Sequence, residues 1–365
     1  MFFTKRDSFL LITLLLLLVV VFLLSIGLGA VKISLDEIFS SFSNFFYGNE
    51  FTTLNERIFI DIRLPRSVLS ILVGATLAVG GILVQALFRN PIVEPGLIGT
   101  SSGAAFGASF FIVLGNTFAF ATNNISLPLI ACIGGIIGTF LVFSLSKING
   151  NNNSVTVLLL IGVAVNALFL SGIGFLSYIA RDPQARSITF WNLGTLSGAN
   201  WQAVQMVAFF SISGLILSYF LGKKLNTLIL GNDEASYLGI NVNLLKYQVL
   251  IINVIMVSVA TSFVGVIGFV GLIVPHIIRM VSGSDIRKLI IFGSLFGAIL
   301  AKANNAVPAC INITALLWEW PLSNKRWCKC SLSGVKIFAP LLVLLITAKA
   351  KSNSGTAITA RGKRI

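Results

Sequence analysis

Residues 9–31 read FLLITLLLLLVVVFLLSIGLGAV, an unbroken apolar stretch preceded by Lys5 and Arg6. Its length decides the fold. The apolar core of a cleavable signal peptide runs about 7–15 residues, whereas a helix crossing a hydrocarbon layer of about 30 Å needs about 20. The stretch from Phe9 to Val31 therefore reads as a retained first membrane span, and the two cations before it put the N-terminus in the cytoplasm.

The same character fills the rest of the chain. Of 365 residues, 56% are hydrophobic and 10% charged, with a mean hydropathy of +0.94, which is more apolar side chain than a soluble core could hide. This predicts an all-α, polytopic transmembrane bundle forming one domain. The net charge of +14 would suggest nucleic acid in a soluble protein. Here the Lys and Arg residues sit mostly in short connections between apolar runs, so the charge reports topology and no nucleic-acid partner is expected. The cysteines Cys132, Cys310, Cys328 and Cys330 offer no disulfide framework. Cys328 and Cys330, with His276 as the only histidine, are too few for a zinc site, and neither metal nor cofactor is predicted.

Outward from the first span, residues 32–66 are polar and aromatic and are expected on the outer side. Val68–Phe88 is the second span, ending at a cytoplasmic Arg89-Asn90-Pro91 turn. Gly96–Leu114 is a short third, whose small residues let helix backbones approach closely in lipid. Ile125–Ser146 and Val155–Leu176 follow, separated by a polar turn at Lys147–Asn153, and then Arg181–Arg186 lies outside. Gln202–Leu221 is the sixth span, and Lys223–Lys246 forms a long basic cytoplasmic connection. Leu250–Val281 is too long for one upright helix, and Gly265, Gly268 and Gly271 are expected to break it into two spans. After a cytoplasmic Ser282–Lys288 loop, Leu289–Ala301 begins a ninth span. Beyond it, ten of the 26 basic residues and three of the five tryptophans crowd into residues 302–365. Only 337–348 there resembles a tenth span, and it is short. The chain thus divides into a transmembrane domain at 1–300 and an atypical tract at 301–365.

The chemistry is sparse. There is no Gly-x-x-x-x-Gly-Lys-Ser/Thr phosphate loop, no carboxylate pair inside an apolar span, one histidine, and no Gly-x-Ser-x-Gly elbow, so no catalytic set is assigned. The middles of the long spans lack Asp, Glu, Lys and Arg, which argues against a proton- or ion-coupled carrier. The glycine-rich break keeps that secondary-transporter alternative open, since unwound backbone can ligate ions. A membrane-embedded enzyme is the other alternative.

Four blocks carry a resemblance. They are RLPR at 63–66 leading into LVGA at 72–75 and QALFRNPIVEPGLIGTSSGA at 85–104, then WNLGTLSG at 191–198, LGNDEASYLGIN at 230–241, and GVIGFVGLIVPHIIR at 265–279. In order and spacing the chain resembles the permease family of bacterial ATP-binding-cassette importers for iron-siderophore complexes, haem and cobalamin. The resemblance implies a bundle of the type II importer kind, in a bacterial inner membrane, that moves a metal chelate inward, iron-siderophore being the commonest case. It implies a second permease subunit, two cytoplasmic ATP-binding subunits and an extracytoplasmic substrate-binding protein. Gly231, Asp233, Glu234, Ala235, Leu238 and Gly239 would form the coupling loop that seats on the ATPase. Arg63 and Arg66 would receive acidic groups of the binding protein through bidentate contacts, or else anchor a helix end at the headgroups. Gln85, Asn90, Pro91, Pro95, Gly96, Gly99, Ser101, Gly103, Gly268, Gly271, Pro275 and His276 would serve the pore or helix packing, with His276 in a packing role.

The resemblance stops abruptly. The family continues with an Asp-x-x-Ala-Arg pattern, then Glu-Leu-Pro-Ile-Gly and Gly-x-Pro-x-Phe, none of which occurs in residues 301–336. A reading-frame shift near residue 301 is the expectation, with genuine divergence as its alternative.

Overall fold

With no water in the hydrocarbon layer, a lipid-exposed backbone must satisfy its own N–H and C=O groups, which a helix does within one segment. The computed structural model describes residues 4–27, 53–115, 125–148 and 155–306, together with Ile38. All secondary structure among these residues is helical. The tract from 307 onward, including the expected tenth span at 337–348, Cys310, Cys328 and Cys330, lies outside the described residues.

Helix α1 is Lys5–Gly27. A capping box at Thr53 and Glu56 opens the next segment, which runs through a π-helical stretch Ile58–Arg63 into α2, Leu64–Phe88, with Pro65 in its first turn. Together these make 35 continuous residues. The expected outer loop therefore does not reach residue 66, and Arg63 and Arg66 sit on a helix. A 3-10 turn, Pro95–Ile98, precedes α3, Thr100–Leu114. Then come α4, Ser126–Ile148, and α5, Val155–Ile179.

An amphipathic helix that the sequence reading did not foresee, α6, occupies Asp182–Asn192. Asn200 caps α7, Trp201–Leu230, by accepting from the Ala203 backbone. This helix absorbs Lys223 and Lys224, so the expected basic loop shrinks to a short helix α8, Asn232–Tyr237, and its flanks. Asn241 caps α9, Val242–Val264, and the expected break follows, with Gly265 at φ 76° and Phe269 at φ 65°. Beyond it are α10, Val270–Ser282, and α11, Ile286–Ala306. Nine helices among the described residues lie where the nine spans were expected, and six of them are long and apolar enough to cross a membrane. At 15 and 13 residues, α3 and α10 extend only about 22 and 20 Å, less than a bilayer core.

Lipid supplies no hydrophobic drive between helices, so close backbone contact must hold the bundle. Helix α2 is its axis: 83% of its apolar window is buried, against 61% for α9 and 17–28% for α1, α4, α5 and α7. A Cβ at Gly74 would strike the Gly297 carbonyl of α11, and one at Gly81 the Gly271 carbonyl of α10. Helices α3 and α4 interlock the same way, Gly103 against Gly134 and Gly99 against Gly138. Buried hydroxyl pairs, Thr76 to Ser211 at 2.7 Å and Thr100 to Thr139 at 2.8 Å, add hydrogen bonds where water is absent.

These contacts fix the ends of the bundle. The N-terminal end gathers the start of α1, the Arg89 turn, α8 and the 283–285 connector, all that remains of the expected Ser282–Lys288 loop because α11 starts at Ile286. Lys288 pairs with Asp7 at 2.6 Å, and Arg6 donates to the Val281 carbonyl at 2.5 Å. The far end gathers Arg63, Arg66, α6 and the start of α7, whose Trp201 indole N–H donates to Ile60 O at 3.1 Å.

Candidate functional site

Three places stand out. The first is α8 at the N-terminal end. It closes with a Schellman motif, Ile240 N donating to Ala235 O at 3.0 Å and Gly239 N to Ser236 O at 2.9 Å, with Gly239 at φ 78°. Ala235 is fully buried and seats the helix on the bundle. Asp233, Glu234, Tyr237 and Leu238 face outward, the last two 89% and 67% exposed. Gly231 joins α7 to α8 so closely that a Cβ there would meet the Glu234 carboxylate. The Arg89 guanidinium reaches across from the end of α2 to Asn232 Oδ1 at 3.1 Å. The result is a short, firmly seated knob with an apolar and acidic outer face.

The second place is the arginine pair at the far end. Arg63 is half-buried and donates to Ile26 O, the carbonyl next to the end of α1, at 2.7 Å. Arg66, one turn further on, is exposed. One arginine thus ties two helices together while the other faces outward.

The third lies inside, at the break between α9 and α10. Gly271 rests on Gly81, seven residues before α2 ends, so α10 begins about 10 Å in from that end. After the Asn90-Pro91 turn, where Asn90 Oδ1 accepts from Ile92 N at 3.0 Å, the chain folds back. It brings Pro95 beside Gly271 and Gly80, and the Glu94 carboxylate to the Phe269 backbone N–H. Gln85, 2% exposed, donates through Nε2 to Gly271 O at 3.3 Å and accepts at Oε1 from Arg279 at 3.0 Å. Asn253, fully buried beside Gly80, has no hydrogen-bond partner among the described residues. The sequence reading placed no charge at this depth, because Glu94 arrives on a folded-back turn and Arg279 on a half-length helix.

Other expected residues fall nearby. Gly96 O accepts from Asn166 Nδ2 at 3.2 Å, and Asn166 Oδ1 accepts from Ser102 at 2.5 Å. Ser101 is half-buried beside Gly96. Gly99, at φ 87°, turns the 3-10 segment into α3. Pro275 is buried in α10, as packing requires, but His276 is exposed on the opposite face, so the expected packing role for it does not hold within this chain. Gly268 is exposed in the break.

The sequence reading also missed a bracket at the N-terminal end. Asn226 of α7 donates through Nδ2 to Asp285 at 2.8 Å and accepts at Oδ1 from Ile286 N at 2.8 Å. Asp285 in turn accepts from Arg287 N at 3.0 Å. Partial burial pushes the Asp285 carboxyl up. The Asn226 hydrogen bond, the Arg287 backbone and the Arg287 cation outweigh it and hold the group below its ordinary value. The only signal in the sequence was an Asn inside an otherwise apolar and basic run.

The profile of the FecCD transport family matches residues 17–312 of this chain. The hemin transport system permease protein HmuU of Yersinia pestis is 38% identical over 276 residues, covering 76% of this chain and 80% of that one. The iron(3+)-hydroxamate import system permease protein FhuB of Bacillus subtilis is 33% identical over 317 residues, covering 86% and 78%. A solved structure described as an inward-facing conformation of a metal-chelate type ABC transporter superposes with a TM-score of 0.71 at 28% identity. That match covers 93% of this chain and 98% of the other.

Proposed function

The chain belongs to the FecCD transport family, and from that premise we propose that it is the permease subunit of an ATP-binding-cassette importer that carries a metal chelate, an iron-siderophore complex, into the cytoplasm. The observation that carries this reading is α8. A self-sufficient carrier has no use for a knob that its own bundle leaves bare, whereas a permease driven by a separate ATPase needs one. Tyr237 and Leu238 offer the apolar contact and Asp233 and Glu234 the charged rim of such a docking surface. The HmuU and FhuB names support a chelate cargo.

Two such permeases would enclose the path, with two ATP-binding subunits on their α8 helices and a binding protein at the far end over Arg66. Lys5, Arg6, Arg89, Lys223, Lys224, Arg287 and Lys288 gather at the N-terminal end. By the positive-inside rule this charge supports a cytoplasmic N-terminal end, and the names of the bacterial relatives support a bacterial inner membrane. The test is co-purification of the tagged chain with the phosphate-loop ATPase encoded beside it. A complex with equal numbers of the two subunits is expected, and an isolated chain with no such neighbour would count against the reading.

The reading also includes a frame shift in the gene near codon 301. Lys302 supports it: fully buried, with its ammonium 5.5 Å from the Phe22 ring centroid and no hydrogen-bond partner among the described residues, it stands where an apolar residue would pack. Resequencing decides it. A shifted frame should restore Glu-Leu-Pro-Ile-Gly and Gly-x-Pro-x-Phe, and a confirmed frame with neither motif in any register would dismiss the idea.

A further inference from the structure

Helix α10 is held at both ends by elements that also carry the two functional faces. At its start, Gly265 and Phe269 both adopt positive φ. For a bulky residue such as phenylalanine this is an unfavourable conformation, and such strain persists only where the surroundings enforce it. Those surroundings come from α2 and the turn after it: Pro95 against Gly271, Gln85 on Gly271 O, and Arg279 on Gln85. Past its other end, a three-residue connector, 283–285, leads into α11. There Asn226 grips Asp285 of the connector and the N–H of Ile286, the first residue of α11, while the Gly222 backbone lies against the Arg287 side chain of α11.

Asn226 sits on α7 four residues before that helix ends, and α8 follows immediately. Helix α7 is uninterrupted over 30 residues, so whatever displaces α8 displaces Asn226 with it. Among the described residues no hydrogen bond ties the 283–285 connector to α2. On either side of it, α1 holds the last turn of α10 through Arg6 on Val281 and the first turn of α11 through Asp7 on Lys288.

We infer that α10 is a lever hinged at the Gly265–Phe269 break, and that Asn226 is the positioning residue through which movement of α8 swings it. This deepens the permease reading and rests on it. The bracket transmits both push and pull because Asn226 uses a donor and an acceptor on adjacent groups. An Asp at 226 would keep the acceptor for Ile286 N but set two carboxylates against each other. Exchanging the pair, Asn226→Asp with Asp285→Asn, restores one donor and one acceptor in reversed sense.

The experiment uses the permease assembled with its ATPase subunits in lipid vesicles. The four native cysteines are replaced, and nitroxides are placed at Met280 on α10 and Phe140 on α4, both exposed. The distance distribution is read by pulsed electron resonance with and without ATP and vanadate. The wild type should shift on nucleotide binding. Asn226→Asp should reduce that shift to under about a third while leaving ATP hydrolysis within about threefold, and the exchanged pair should recover at least half of it. A full shift in Asn226→Asp, or no recovery in the exchanged pair, overturns the lever and leaves the permease reading intact. A wild-type chain that neither assembles with an ATPase nor responds to nucleotide overturns both.

Discussion

Lys302 brings an amine into the bundle with no counter-charge or hydrogen-bond partner among the described residues: its side chain is fully buried, with the Phe22 ring 5.5 Å away and Arg66 close by. A cation over an aromatic face recovers about 1–2 kcal/mol, less than the several kcal/mol that desolvating an ammonium costs. Replacing Lys302 with Leu should therefore stabilise the detergent-solubilised protein by roughly 1–3 kcal/mol, seen as a higher midpoint of thermal unfolding. A lower midpoint would mean that the lysine has a partner in the assembled transporter. Asp285 gives a second test. Its folded-state pKa lies below the ordinary 3.8, so its contribution is complete above that value and is lost as pH falls through the lower one. The stability gap between wild type and Asp285→Asn, measured at about pH 6, should narrow as pH falls below the ordinary carboxylate value of 3.8. A gap independent of pH would show that geometry, not charge, makes the contact.

At the scale of the helices, glycine decides the packing. Gly103→Leu would drive a side chain into the Gly134 backbone, and overpacking of this kind costs roughly 1–3 kcal/mol. The variant should melt earlier and yield less folded protein, while Gly174→Leu, where a Cβ meets nothing within 4 Å, should melt like the wild type. Equal behaviour of the two would refute the interlock of α3 and α4. On α8, Tyr237→Ala together with Leu238→Ala touches no internal contact that seats the helix. It should leave thermal stability unchanged and weaken capture of the ATPase at least tenfold. The helices were legible because span length and glycine punctuation are local properties: the starts of α4 and α5, and the break at 265–269, all read from sequence. What was illegible depends on contacts made elsewhere. The π-helical lead into α2, the extension of α7 through two lysines and the amphipathic α6 all run through polar residues that hydropathy assigns to loops.

For the whole molecule, the site divides the same way. The α8 knob and the glycines of 85–104 were recognisable as contiguous motifs. The clasp of Glu94, Gln85 and Arg279 around the broken helix joins residues nearly two hundred positions apart, and the Asn226 bracket about sixty apart. No periodicity in one sequence reveals either. On the proposed reading they join into one machine, with a docking knob and a half-length lever at one end and an arginine-bearing rim at the other, which would move a metal chelate inward at the expense of a partner's ATP. Uptake of radiolabelled ferric siderophore, haem and cobalamin should be measured in cells lacking the gene, and in the same cells supplied with it in its confirmed frame alongside its ATPase and binding protein. The account predicts that ferric siderophore accumulation rises at least tenfold on complementation and collapses when ATP is depleted. Accumulation of none of the three above the deletion background would contradict it.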